Sequence, residues 1–384
     1  MSKKTLQSPF AIIAEWLQAK GITARFNSLI RDIEFNGEPV NERELNSYFI
    51  TIVGTEAGSG INDKEWHTYL DSNHVPTYSP IEEYLGELKD KPPVTGNIAA
   101  LAATLSLDPS QGMPPQVAEM FLRKWLIGLV AGVFFDYYNA IFLILSGGKN
   151  IGKTEFFRRL LPERINKYFA ETKLDGGKDE AAVATSNWVL FIDEMDFLTR
   201  KKDAADLRKF ISTNYFTYRP PYARKPVTVK RIASMCGASN EIQVITDPAN
   251  NRRLVPIVVT AIDHDAYNAI DKEALITEAL HLYMDGEEWH LNKEDIRLLE
   301  QYTGINAAHD TETEFLQKYF IKNDDGFMTS SEVAADLQTR TVLRISSWHV
   351  GKALAALGFE RTAKKINGST RYGWKVRTID APPL

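Results

Sequence analysis

Cysteine is nearly absent: the 384 residues contain one, Cys236. A single thiol closes no intramolecular disulfide and cannot supply a four-cysteine zinc site, so a disulfide scaffold and a zinc ribbon are excluded. It fits a reducing, cytoplasmic setting. Histidine is also scarce, and seven scattered residues suggest no metal cage. The chain lacks internal repeats and low-complexity tracts. No secretory leader is expected, because Met1-Ser2-Lys3-Lys4-Thr5 leads into an apolar stretch broken by Glu15, without a small-residue cleavage site. The most apolar run, Trp125 to Leu145, contains Asp136, Asn139 and two tyrosines and ends at a glycine-rich loop. That pattern predicts a buried helix and strand rather than a membrane span. A surplus of positive charge is missing too: the net charge is −5, which excludes a protein that coats nucleic acid with its whole surface but leaves room for a local basic channel.

What is present is an average globular composition, 44% hydrophobic and 25% charged, long enough for about two to three domains. Residues 1–90 read as a small, mainly helical domain, with strand around Arg25 to Phe35 and a hairpin-type turn at Asn36-Gly37. Lys89-Asp90-Lys91-Pro92-Pro93 and Pro114-Pro115 break the pattern. Residues 91–300 then alternate strands and helices in the manner of an α/β nucleotide-binding unit. Residues 311–384 read as three helices, the third over Ser346 to Leu357, and a strand pair around Asn367-Gly368, a winged-helix-like module. Ser347, Trp348, His349 and Lys352 fall on that third helix, with Lys364, Lys365 and Arg371 flanking the wing.

The sharpest motif is Gly147-Gly148-Lys149-Asn150-Ile151-Gly152-Lys153-Thr154, which fits G-x-x-x-x-G-K-[ST] between a strand and a helix. Its glycines let backbone N–H groups wrap a polyphosphate, Lys153 reaches the outer phosphates, and Thr154 is placed to hold Mg²⁺. A plain glycine-rich turn is the alternative. Asp193-Glu194 closes the apolar strand Trp188 to Ile192; Asp193 suits the metal and Glu194 the attacking water. Asn240, after the strand Ala233 to Ala238, suits the γ-phosphate or the water, or else closes an Asx turn. Arg252 and Arg253 offer bidentate donors for phosphate, or form a solvated edge. Between the acids and Asn240 runs a basic, aromatic stretch containing Arg219, Arg224, Lys225, Lys230 and Arg231 with Tyr215, Tyr218 and Tyr222. Cations there track a phosphate backbone and aromatic faces stack on bases; a solvated hairpin or a subunit contact is the competing reading.

Together these motifs resemble the virulence-associated protein E family of phage and mobile-element ATPases, itself similar to superfamily 3 helicases within the AAA+ class. The residues that carry the resemblance are Gly147 to Thr154, Val189 to Asp196, Tyr218-Arg219-Pro220-Pro221-Tyr222 with Arg224, Gly237 to Asn240, and Asn251 to Ile257, where Leu254 stands in place of the usual aromatic. The resemblance covers about residues 75 to 300. It implies an α/β fold: a P-loop AAA+, superfamily 3-like ATPase core between the small helical domain and the winged-helix-like module. It also implies ATP and Mg²⁺ as cofactors and a hexamer-like ring in which Arg252 or Arg253 enters the neighbouring subunit's site. Single-stranded or forked DNA would be the partner, with a separate primase where priming is needed. A DNA helicase or translocase is therefore expected. A nucleotide-dependent switch acting on protein partners is the alternative, and a small-molecule kinase is disfavoured because the arginines follow the sensor strand.

Overall fold

The computed structural model describes residues 8–173, 180–193, 207, 209–220, 225–240, 252–302, 305–341, 345–366 and 368–379. Contacts divide the chain into two compact units. One takes in the residues up to Leu107 with Pro114–Val244 and Arg253–His290, the other Asp108–Met113, Ile245–Arg252 and Leu291–Leu384.

In the first unit, helix α1 (Pro9–Ala19) starts at Ser8, whose side chain accepts from the Ala11 N–H. Strands β1 (Ala24–Asn27), β2 (Asp32–Phe35) and β3 (Glu38–Pro39) follow, with Asn36 and Gly37 both at positive φ between β2 and β3. That is the two-residue hairpin geometry which Asn-Gly favours. Helices α2 (Glu42–Val53) and α3 (Asp63–Leu70) each begin in a capping box, Asn41 with Glu44 and Asn62 with Glu65. Strand β4 (Thr77–Tyr78) joins β1 in parallel, completing the order β3-β2-β1-β4. The helices and this sheet share a core around Ile13, Trp16, Ile52 and Trp66. Glu34 on β2 is wholly buried, accepts from Asn27 and from the Tyr78 hydroxyl, and so finds partners for a carboxylate that water does not reach.

Helices α4 (Pro80–Lys89) and α5 (Asn97–Ala103), strand β5 (Leu105–Leu107) and helix α6 (Pro115–Phe134) lead into the main sheet. Helix α6 runs for 20 residues and is the buried helix expected before the glycine loop. Among the described residues no helix is long and apolar enough to cross a membrane. Then come β6 (Phe142–Ser146), α7 (Lys153–Arg158), β7 (Phe169–Thr172), α8 (Glu180–Ser186), β8 (Val189–Ile192), β9 (Tyr215–Tyr218), β10 (Val227–Lys230), β11 (Ser234–Ser239), β12 (Leu254–Ile262), α9 (His264–Ala269) and α10 (Lys272–Met284). Six strands pair in the order β5-β12-β6-β11-β8-β7, with β5 antiparallel and the rest parallel. Every residue of β6, β8 and β11 is buried, as strands covered on both faces must be. Asn139 fastens α6 to the sheet: its amide donates to Trp125 O (3.0 Å) and Ser234 Oγ (3.1 Å) and its oxygen accepts from the Ile141 N–H (3.1 Å). The indoles of Trp125 and Trp188 donate to Met235 O and Leu129 O, both at 2.9 Å.

The second unit contains α11 (Lys293–Tyr302), α12 (Ile305–Tyr319), β13 (Phe320–Lys322), α13 (Ser330–Arg340), α14 (Ser347–Ala356), β14 (Arg361–Ile366), β15 (Ser369–Trp374) and β16 (Val376–Thr378). The last three helices, β13 and β16 enclose Leu316, Phe320, Val333, Leu337, Leu354 and Val376. The hairpin expected around Asn367-Gly368 is the β14–β15 pair, with Gly368 at φ 80 in its turn.

Helix α5 begins at Gly96, which has no side chain to cap it. The buried Glu278 of α10 supplies the cap, accepting from the N–H groups of Gly96 (3.1 Å), Asn97 (2.6 Å) and Ile98 (3.2 Å). Glu278→Ala leaves these donors without an acceptor and is expected to cost about 2–3 kcal/mol. Urea unfolding measures this; an unaltered midpoint would show that the cap contributes nothing.

Candidate active site

The loop from Gly147 to Gly152 leaves the carboxyl end of β6 and delivers the chain to α7. Its shape depends on glycine at two places. Gly147 has φ 145, and a Cβ there would stand 2.0 Å from the Val259 carbonyl oxygen. Gly152 has φ 89, and a Cβ there would meet the His264 ring at 2.1 Å. Neither site admits a side chain, so at these two places the chain presents bare backbone. Lys153 is the first residue of α7 and is 6% exposed. Its ammonium curls back to donate to Gly147 O (2.8 Å) and Gly148 O (2.6 Å), and to Asn240 Oδ1 at 3.3 Å. Thr154 follows it and is half-buried.

The sheet register brings the other candidates to this edge. Ser239 is level with Ser146 in the parallel β11–β6 pairing, so Asn240 leaves its strand beside Gly147, whose N–H donates to Ser239 O (3.2 Å). Ile192 is level with Gly237, so Asp193 emerges one strand further along the same edge. Glu194 lies outside the described residues. Lys153 thus opens the helix that follows β6 and its loop, while Asn240 and Asp193 follow β11 and β8, the next two parallel strands of the sheet. This crevice beyond the carboxyl ends of parallel strands is where α/β sheets bind ligands.

Arg252 and Arg253 are not part of that cluster within one chain. Leu254 is level with Phe142 at the start of β6, and the Phe142 N–H donates to Arg253 O (2.8 Å). Six residue steps of strand, roughly 20 Å, therefore separate the level of Arg253 from Gly147. The Arg253 guanidinium hydrogen-bonds Ser212 Oγ, whereas Arg252 is exposed.

A family model for the virulence-associated protein E-like domain matches residues 107–306, just over half of the chain. The chain belongs to this family. Three solved structures share its fold. Two, each described as the A form apo structure of the NrS-1 C-terminal region, match with TM-scores of 0.54 and 0.53 at 15% and 14% identity, covering 97% and 96% of this chain and all of their own. A third, the apo structure of the NrS-1 C-terminal region (305–718), matches with a TM-score of 0.54 at 14% identity over 98% of this chain and all of its own. No curated protein matches.

The basic stretch of this virulence-associated protein E-like chain forms a β-hairpin. β9 and β10 pair antiparallel from Tyr218↔Val227 to Tyr215↔Lys230, and Thr217 and Thr228 hydroxyls meet at 2.8 Å across it. Arg219 and Lys225 are exposed at its tip, and Arg224 lies outside the described residues. The two cations at its base are placed differently, and full burial takes Arg231 away from any DNA-facing surface. Arg231 is fully buried: it donates to Asn139 O (3.2 Å) and Phe210 O (3.4 Å) and lies over the Tyr138 ring at 4.3 Å. Loss of hydration pushes its pKa down to about 9, still charged at neutral pH. Lys230 is half-buried, donates to Phe135 O and Val133 O at the end of α6, and is likewise shifted downward by desolvation. Arg231 follows the hairpin into the interior because β10 runs on toward β11.

His264 was not picked out by sequence reasoning. It is the first residue of α9, after the Asp263 cap, and its imidazole fills the space that a side chain at Gly152 would need. Tyr267, one turn on, donates to Phe156 O on α7 (2.5 Å). A lone histidine after a strand carries no pattern, and its place beside the loop comes from β12 pairing with β6.

Burial makes a direct test of the correction. Arg231→Ala is expected to destabilise the chain by about 3 kcal/mol or more, because packing and carbonyl partners are lost together. Arg219→Ala and Lys225→Ala are expected to leave stability within about 0.5 kcal/mol. Thermal and urea unfolding of the three variants distinguish these outcomes; an Arg231 variant as stable as the parent would return that residue to the surface.

Proposed function

We propose that this chain is an ATP-hydrolysing, ring-forming DNA translocase or helicase with a P-loop AAA+ core of the superfamily 3 type, serving replication of a phage or mobile element in the cytoplasm. The observation that carries the reading is the contact of Lys153 with the loop carbonyls and Asn240 at the carboxyl edge of a parallel sheet. The strand order supports it as well, because the loop follows a central strand with Asn240 and Asp193 on the two strands to one side. Three helices and a hairpin in the second unit fit the winged-helix-like reading.

The residues present fit a magnesium nucleotide. A loop with glycine at 147, 148 and 152 offers N–H groups to phosphate, and α7 begins at the same place. Thr154 and Asp193 would hold Mg²⁺, which when bound supplies charge neutralisation for the transferring phosphoryl group. In this reading the Lys153 ammonium exchanges the Gly147 and Gly148 carbonyls for phosphate oxygens. Asn240, already within reach of Lys153, orients the γ-phosphate or the attacking water, which Glu194 polarises. Arg253 precedes β12, at the end of the sheet away from its own loop, and in this reading Arg252 or Arg253 acts on the site of a neighbouring copy. The exposed Arg252 is the better placed of the two to do so. Arg219 and Lys225 at the tip of the β9–β10 hairpin, with Arg224 of the same basic stretch, track single-stranded DNA, and primer synthesis belongs to a separate chain.

The test is steady-state ATP hydrolysis with and without single-stranded DNA. Turnover stimulated by DNA and reduced about 100-fold or more in Lys153→Ala is the expected result. Full activity in that variant would remove the P-loop assignment, and slow turnover indifferent to DNA would favour a nucleotide switch acting on protein partners. For the ring, Arg252→Ala is expected to be inactive alone and to recover turnover when mixed with Lys153→Ala, which supplies the arginine in trans. An absence of recovery would overturn the shared site.

A further inference from the structure

The β14–β15 hairpin belongs to the second unit and forms a two-stranded sheet of its own. Its base is fixed: Trp374 is 9% exposed, donates to Ser330 Oγ at 2.9 Å and bridges Met328. Beyond that base the ribbon is solvent-exposed, and Tyr372 is 65% exposed. The register sets Lys364 directly opposite Arg371, Ala363 opposite Tyr372 and Lys365 opposite Thr370. Residues opposite one another share a face and successive residues alternate, so the cations are divided. Lys364 and Arg371 stand on one face, Arg361 and Lys365 on the other with Tyr372. The Arg361 guanidinium lies 5.6 Å from the Tyr372 ring centroid, and with Thr362 and Ala363 the pair lines an open depression of about 480 Å³.

Like charges directly opposite one another on a ribbon destabilise it. Among the described residues neither Lys364 nor Arg371 has an ion pair; the acid that senses Arg371 is Glu332, whose carboxyl is held low mainly by the Thr329 N–H and hydroxyl. Such a ribbon is suited to an external polyanion. A single strand offers one line of phosphates, which one face would serve. A duplex groove offers a phosphate wall on each side, and the major groove is wide enough to admit a two-stranded ribbon.

We propose that the β14–β15 hairpin enters the major groove of duplex DNA tip first, with Lys364 and Arg371 on one phosphate wall, Arg361 and Lys365 on the other and Tyr372 against the sugar and base edges. This rests on the reading above only in taking DNA as the partner. It gives the chain a duplex contact separate from the single-strand contact of the β9–β10 hairpin.

The experiment measures binding of the full chain, without nucleotide, to a blunt duplex and to a single strand of equal length over a salt series. Omitting ATP keeps the result independent of whether the chain hydrolyses it. Lys364→Ala/Arg371→Ala is expected to weaken duplex binding roughly tenfold and to make the slope of log K against log salt shallower by roughly two, with single-strand affinity unchanged. Arg361→Ala/Lys365→Ala, on the opposite face, is expected to do the same, and far-UV circular dichroism confirms that each variant is folded. A duplex slope unchanged in both variants, an equal loss on duplex and single strand, or a parent protein that does not bind duplex would each overturn the proposal.

Discussion

Ser146, Ser239 and Val258 lie level across three adjacent parallel strands, β6, β11 and β12. The chemistry of the site depends on that register. Parallel strands all leave the sheet on one side, so whatever follows each strand gathers at one edge and whatever precedes it is carried to the other. The glycine loop, Asn240 and Asp193 follow their strands and converge. Arg253 precedes its strand and lands at the far end. A slip of one residue in β11 would turn every side chain on that strand to the opposite face and take Asn240 away from Lys153.

The same interior explains the buried cation. Arg231 sits between the hairpin and the sheet with no carboxylate partner among the described residues, and burial of a guanidinium without one is costly. Two carbonyl oxygens and the Tyr138 ring offset part of that cost, and the lowered pKa reports the remainder. Asn139 is shared: its carbonyl receives Arg231, while its side chain ties α6 to β11. The root of the β9–β10 hairpin is thereby joined to the residues that begin the strand leading into the glycine loop. Arg219 and Lys225 are exposed while Arg231 of the same basic stretch is buried, and a count of positive residues cannot separate them.

Much of this was legible in the chain itself. Glycines at 147 and 152 around Lys153, an apolar strand before them and a helix after them, define the loop, since only glycine tolerates the positive φ at both places. Asn36-Gly37 marked its hairpin for the same reason, and the unbroken apolar runs of β6 and β8 announced strands buried on both faces. These features are local: each is decided by a few consecutive residues and their conformational preferences.

The order of strands, the burial of Arg231, the capping of α5 by Glu278 and the nearness of His264 to Gly152 were not legible, because each joins residues far apart in the chain. Residue type says that an arginine carries charge; only the packing of β10 against Tyr138 and Asn139 decides that this one is withheld from solvent. The sequence by itself determined the family, the mixed α/β class and the loop, through local backbone sterics and the alternation of buried strands. The tertiary structure decided which candidates share a site, because parallel register, set by the burial of whole strand faces, fixes the height at which each strand ends.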